Sequence, residues 1–224
     1  MSRHVCIIHF TSPILEDRVV DNLRKAAEEM GGSAFFLRGK TQLDLDSTSL
    51  RSLMSQFPPH EYVGEVRWGI EATGRRLLGR LTYPIQPPIA MPGTLEFEFV
   101  WSSPAQKVFF DSVDLLLKFL RPIAASVGAD NLMIEPNKLP ADIHDVRYER
   151  FKVSKDDKRL SSVDWVVGCR AADYPALLSA LEAHGFSSIE GNGFVICAFA
   201  ENPLDYSRPG DRELLKRIEN AFGI

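Results

Sequence analysis

The sequence lacks the features that mark several large classes of protein. Only 3 of its 224 residues are cysteines, and each lies far from the others in an apolar run, so no disulfide framework is expected. The formal net charge is −4, whereas a nucleic-acid-binding domain usually carries a basic excess. No apolar run has the length of a membrane-spanning helix, and the one near the N-terminus is too short for a secretory signal. We therefore expect a cytoplasmic protein whose partner is neither nucleic acid nor a membrane.

Sequence motifs for catalysis and cofactor binding are missing as well. Gly191-Asn192-Gly193 is followed by a strand-like run, whereas a dinucleotide-binding loop needs a helix at that point. Asn-Gly between two β-rich runs predicts a hairpin instead. No two of the five histidines stand at helical ligand spacing, and neither Cys-x-x-Cys nor Gly-x-Ser-x-Gly occurs. We predict no metal, no cofactor and no enzymatic activity.

Hydrophobic periodicity predicts an α+β fold, with mostly antiparallel sheets covered by helices. The stretch "TLEFEFVW", residues 94–101, alternates apolar and acidic side chains in the manner of a half-buried strand. Residues 61–72 and 75–83 flank Thr73-Gly74 and predict a hairpin. The helices are expected near residues 15–30, 107–126, 174–184 and 211–222. Pro122 is expected to bend or end the second helix.

The order of the predicted elements bears on the domain organisation. "TLEFEFVW", a helix and "NLMIE" follow one another in the same way as "SVDWVVGC", a helix and "GFVICAF", which indicates a duplicated β-α-β architecture. We expect a single domain over residues 1–224. Two sub-regions, 1–90 and 91–224, joined by the proline-rich segment 84–93, are the alternative. The polar residues 136–162 are predicted to form a solvated connection.

The last third of the chain carries a family resemblance. Asp164-Trp165 in a predicted strand, the Gly191-Asn192-Gly193 turn and the segment from Ile196 to Pro203 form a pattern followed by a closing helix. This pattern resembles the C-terminal portion of bacterial immunity proteins that pair with polymorphic or type VI secreted toxins, nearest to immunity protein family fifty-two. The resemblance implies a protein that binds and neutralises a cognate toxin, and it implies that this toxin is a nuclease.

Contact residues for such a toxin cannot be located by a motif, because the anchors of an inhibitor can come from any loop. The net acidic charge would steer the protein to a basic nuclease. We therefore expect the contacts to come from acidic residues in loops or at the ends of elements, together with two tyrosines as aromatic anchors. These residues are Asp44, Asp46, Glu61, Tyr62, Asp142, Asp145 and Tyr206.

Two alternatives belong to other functional classes. An enzyme or small-molecule-binding α+β protein would contain a deep pocket with converging polar groups and displaced pKa values, although no motif marks one here. An inhibitor would present an acidic and aromatic groove or face instead. A structural component of a secretion apparatus would assemble with itself at ordinary concentrations. The sequence leaves the oligomeric state open.

The cysteines provide the first test. Cys6, Cys169 and Cys197 all lie in apolar strand-like runs, so we expect three free thiols. The mass of the denatured, unreduced protein should equal the mass of the fully reduced chain. A deficit of about two daltons, the two hydrogens lost when one bridge forms, would contradict this prediction.

Overall fold

The computed structural model describes residues 3–57, 63–85, 93–101, 109–136, 142, 163–174, 186–191 and 193–222. The strands in these ranges are β1 (Arg3–Phe10), β2 (Gly32–Arg38), β3 (Thr41–Leu43), β4 (Val63–Ala72), β5 (Arg75–Pro84), β6 (Gly93–Val100), β7 (Asn131–Pro136), β8 (Val166–Arg170), β9 (Ser187–Gly191) and β10 (Phe194–Ala198). The helices in these ranges are α1 (Glu16–Glu29), α2 (Ser47–Met54), α3 (Val113–Val127) and α4 (Pro209–Phe222). A short 3₁₀ turn covers Ala171–Asp173.

All ten strands belong to one sheet, in the order β3-β2-β4-β5-β6-β1-β7-β8-β10-β9. Every neighbouring pair is antiparallel. The predicted α+β class with antiparallel pairing is therefore confirmed. The two hairpins predicted at Thr73-Gly74 and at Asn192-Gly193 join β4 to β5 and β9 to β10. Gly193 has a φ of 75°, which the tight turn requires and which glycine adopts without strain.

One face of the sheet is apolar and lies beneath the helices. Alternate residues of β1 are buried, and Cys6 and Ile8 pair in register with Phe97 and Leu95 of β6. The same alternation in β6 leaves Glu98 exposed on the opposite face, as the sequence pattern predicts. α1 and α3 pack side by side, with α1 also against β2 and α3 against β9 and β10. The helix layer therefore extends across the sheet.

The helices differ from the predictions in three places. α2 was not expected, because its eight residues are rich in serine and threonine and its Asp46 cap was predicted to lie in a solvated loop. α3 begins at Val113 and continues through Pro122 to Val127, so this proline does not end the helix. Helix 174–184 lies outside the described residues, apart from Tyr174. The same is true of residues 86–92 in the proline-rich segment and of all of 136–162 except Pro136 and Asp142.

The sheet order gives the predicted duplication a specific form. β6 and β7 run in the same direction on either side of β1. β8 and β9 likewise run in the same direction on either side of β10. In the second set of three strands, β9 therefore occupies the place that β7 has in the first set. The predicted counterpart, the "GFVICAF" strand, is β10, which follows the hairpin and lies between β8 and β9.

The three cysteines are free and buried, as the sequence predicts. Burial raises the pKa of the Cys169 thiol to about 12, and burial also raises the pKa values of Cys6 and Cys197. The thiolate is the reactive form of cysteine, so these side chains are apolar core residues at neutral pH.

Close packing of Trp68 on Gly79 gives a test of the sheet. A β-carbon added at Gly79 would lie 2.3 Å from Cζ2 of Trp68 and 2.7 Å from the backbone oxygen of Glu96. Trp68 is only 1% exposed, so its ring has little room to move. We expect Gly79→Ala to lower the free energy of unfolding by about 1–3 kcal/mol.

The matched control is Gly210→Ala in α4, where no atom lies within 4 Å of the added carbon. Alanine should leave the stability unchanged or raise it by up to about 1 kcal/mol, because alanine favours helix more than glycine does. Urea unfolding curves of the two variants measure both effects. Equal midpoints for Gly79→Ala and the wild type would contradict the packing described here.

Candidate functional site

Two clefts with opposite charge border α3. The first, called the acidic cleft, is formed where α3 begins, and the second, called the basic groove, runs along α1 and α3 to the β9–β10 hairpin. Their volumes are about 680 Å³ and about 950 Å³. Both clefts are built from elements that are distant in the chain.

The acidic cleft combines carboxylates with aromatic side chains. Asp111 and Asp114 lie at the start of α3, and Glu201 lies just after β10. Among the residues that the structure describes, no lysine or arginine lines this cleft, and none forms an ion pair with these three carboxylates. Two of the carboxylates also occupy the positive end of a helix, where acids stabilise the helix itself. Glu201 has no such role, because it belongs to a different element.

Aromatic packing holds the walls of the acidic cleft in place. The ring of Trp101 meets the ring of Trp165 at 4.5 Å between centroids, and its Nε1 donates to Oδ1 of Asn202 at 3.2 Å. The Nε1 of Trp165 donates to the backbone oxygen of Ala200 at 2.6 Å. These contacts join the ends of β6, β8 and β10, so the cleft has a preorganised shape.

An aromatic side chain lines the cleft beside the carboxylates. Phe186 is half-buried and packs edge-on against the buried Phe199 at 5.0 Å between centroids. A half-buried aromatic ring at the wall of a cleft can contact an apolar or cationic side chain of a partner.

The basic groove carries an excess of cations. Arg18 and Lys25 of α1, Lys118 and Arg121 of α3, and Arg170 at the end of β8 line it. Among the residues that the structure describes, two carboxylates, those of Glu28 and Glu29, line the same groove. Arg121 passes over the β9–β10 hairpin, since its Nε lies 3.4 Å from the position that a β-carbon on Gly191 would occupy.

Arg170 differs from the other cations because it is neutralised. It forms an ion pair with Asp130, which is 3% exposed. The second carboxylate oxygen of Asp130 accepts a hydrogen bond from Oγ1 of Thr11 at 2.8 Å. Asp130 also donates its backbone N–H to the backbone oxygen of His9 at 2.8 Å. A buried carboxylate requires such partners, so the role of Arg170 is first of all structural.

Displaced pKa values occur in the core and in capping turns. Burial lowers the pKa of His4 to about 4 and raises that of Tyr83 to about 12. Hydrogen bonds from the side chain and backbone of Ser207 lower the pKa of Asp205. None of these groups lines either cleft.

The described residues contain neither a metal-binding cluster nor a membrane-spanning helix. No three His, Cys, Asp or Glu side chains within the described ranges are grouped closely enough to hold a metal ion. No helix in the same ranges is both long and apolar enough to cross a bilayer.

The predicted toxin-contact residues that the structure describes line neither cleft. Asp44 is exposed after β3, and Asp46 caps α2 by accepting a hydrogen bond from the backbone N–H of Ser49 at 2.7 Å. Asp142 is exposed and pairs with Arg212 of α4 at 3.3 Å. Glu61, Tyr62 and Asp145 lie outside the residues that the structure describes.

Tyr206 does not occupy the surface position predicted for it. Its ring is only 4% exposed, and its hydroxyl donates to Oδ2 of the buried Asp164. Its backbone oxygen accepts a hydrogen bond from Arg212, the residue that also pairs with Asp142. Tyr206 is therefore a core residue and not an exposed aromatic anchor, because it satisfies a buried carboxylate from a distant part of the chain.

Helical spacing could have indicated the basic groove. Arg18 and Lys25 stand seven residues apart, and Lys118 and Arg121 three residues apart, so each pair shares one helix face. The acidic cleft had no such signal, because Glu201 and Asp111 meet only through the pairing of distant strands.

The cap role of Asp46 leads to a prediction that separates structure from binding. Asp46→Ala should lower the melting temperature, whereas Asp44→Ala should not. The hydrogen bond from the backbone of Ser49 lowers the pKa of Asp46 below the ordinary value of 3.8. The stabilisation is therefore complete above that ordinary value and is lost as the pH falls through the lower, folded-state value. Melting curves from pH 7 to about pH 2 should show the wild type and Asp46→Ala converging in acid, and a constant difference would contradict the cap assignment.

Comparison with protein-family models and with curated proteins gave no match. Among solved structures, the fold is similar to that of a Pseudomonas aeruginosa protein described as T6SS protein PA0821, where T6SS denotes the type VI secretion system. The TM-score is 0.55 at 15% sequence identity, and the alignment covers 99% of this chain and 73% of that chain. At this identity the comparison establishes a shared fold.

Proposed function

We propose that this chain is an immunity protein, which works in the cytoplasm, has no catalytic activity of its own, and neutralises a secreted bacterial toxin by binding it. The acidic cleft carries the proposal, because its walls combine carboxylates that have no described cationic partner with aromatic side chains packed at the ends of three strands. The sequence resemblance to immunity proteins and the fold shared with a T6SS protein support the same proposal.

The chemistry of the acidic cleft selects a basic partner. Asp111 and Glu201 come from different elements and line the same cleft, where an arginine of the toxin could pair with a carboxylate and lie against Phe186. A nuclease is a suitable class of toxin, because an enzyme that binds nucleic acid carries basic residues at its active site. Blocking those residues would compete directly with the substrate.

The remaining interface would extend beyond the cleft. A stable protein–protein interface buries roughly 1,600 Å² in total, and a few central residues carry most of its energy. We place those central residues in the acidic cleft and assign the surrounding surface to shape complementarity. The sites predicted at Asp44 and Asp142 stay a separate hypothesis about that surrounding surface.

The test is protection of a sensitive cell. This protein and the toxin candidate encoded beside it are co-expressed, and survival is compared with cells that receive the toxin candidate alone. The wild type should protect and form a complex in vitro. Asp111→Lys with Glu201→Lys should abolish protection, since reversing two central charges costs a few kcal/mol of binding free energy, roughly a hundredfold or more in Kd.

The variants are chosen to leave the fold intact. Asp111 precedes the Ser112 cap of α3 and Glu201 follows β10, whereas Asp114 in the first helical turn is left unchanged. Glu71→Lys with Glu213→Lys makes the same change of charge at exposed residues outside both clefts, and this control should still protect.

Loss of protection in the control as well, or protection by every variant, would remove the acidic cleft from the proposal. Failure of the wild type to protect or to bind would refute the immunity function.

A further inference from the structure

We infer that the basic groove is a second docking surface, and that it takes an acidic segment of a polypeptide. This inference goes beyond the proposed function, because the groove has the opposite charge from the acidic cleft and does not require that the partner be a toxin. It rests on the pairing of charges, on the shape of the groove and on the sign of the chain's net charge.

Four cations of the two helices converge in the groove without a described ion-pair partner: Arg18, Lys25, Lys118 and Arg121. Elsewhere on the described surface some arginines are matched with acids, such as Arg24 with Asp21 at 3.0 Å and Arg208 with Asp205 at 3.2 Å. Others bond to neutral side chains, as Arg38 does to Ser52 and Arg76 to Gln42. What marks the groove is therefore the convergence of its cations in one cleft.

The shape of the groove fits an extended chain better than a single anion. Arg18 and Lys25 stand seven residues apart on α1, about 10 Å along the helix axis. Three or four residues of an extended segment, at about 3.3 Å each, would span that distance. Small residues of α3, among them Ala125, line the groove together with the cations, so a peptide backbone can approach closely. One phosphate could reach only part of such a row.

The charge balance disfavours nucleic acid. Glu28 and Glu29 line the same groove as the cations, and the chain as a whole carries a formal charge of −4. A continuous phosphate backbone would meet both glutamates and the surrounding negative field. A short acidic peptide can place its carboxylates beside the cations and its uncharged residues beside the glutamates.

The experiment uses a fluorescein-labelled eight-residue peptide in which glutamate alternates with serine, called the glutamate peptide, and the 224-residue protein. Binding is measured by fluorescence anisotropy in low salt. The wild type should bind the peptide, and added salt should weaken binding because it screens these exposed charges. Lys118→Glu with Arg121→Glu should raise Kd at least about tenfold, because two attractions become repulsions.

The control variant carries the same change of charge on another helix. Lys216 and Arg217 are exposed on α4 and line neither cleft. Lys216→Glu with Arg217→Glu should therefore change Kd by less than about threefold, the size of a long-range effect. Lys25→Glu on α1 is an independent test from the opposite wall of the groove. This single variant should also weaken binding, which keeps the inference testable if the α3 double variant does not fold.

Several outcomes would overturn the inference. These are no binding of the glutamate peptide in low salt, equal weakening by the groove and α4 variants, and displacement of the peptide by millimolar inorganic phosphate. Tighter binding of a single-stranded oligonucleotide of equal charge would assign the groove to nucleic acid instead. Because no toxin takes part in these measurements, their failure leaves the immunity proposal intact, and failure of the protection assay leaves this result intact.

Discussion

The pairing of β1 with both β6 and β7 is the constraint on which the architecture depends. Without β1, the described sheet would separate into five strands from residues 32–100 and four from residues 131–198. The backbone hydrogen bonds of β1 therefore join these two parts of the sheet, and their buried side chains form a single core. The proline-rich segment does not coincide with a gap in the sheet, because β5 before it pairs with β6 after it. The acidic cleft depends on this continuity, since Trp101 follows β6 on one side of β1 and Glu201 follows β10 on the other.

Local patterns in the sequence were sufficient for much of the fold. The alternation in "TLEFEFVW" predicts which residues of β6 are buried, and Asn-Gly predicts the last hairpin. Both features depend on residues that are adjacent in the chain. The clefts depend on distant partners. Tyr206 stands among polar residues and resembles an exposed loop residue until Asp164, 42 positions away, is seen to accept its hydroxyl. The resemblance in the last third likewise includes Trp165, whose described contacts are those of packing.

The net charge does not describe how charges are distributed over the surface of the protein. A formal charge of −4 predicts an acidic protein in general, but α3 alone carries acids at one end and two cations farther along the same helix. The two clefts therefore produce a charge separation along α3 that the total conceals. A partner with both an acidic and a basic region would be oriented before contact by such a field. Orientation of this kind raises the rate of association more than it raises the final affinity.

The position of β1 in the sheet also determines when the sheet can be completed during synthesis. Ile8 leaves the ribosome early, but its partners on either side are Leu95 and Leu132, which appear much later. Bringing such distant segments together costs loop-closure entropy before any contact is gained, so pairing of this kind is slow. Until residue 136 has emerged, β1 can pair with β6 but not with β7, and the incomplete sheet presents an open edge that could pair with another chain. A nascent chain of this design would benefit from a chaperone that covers this edge until β7 arrives.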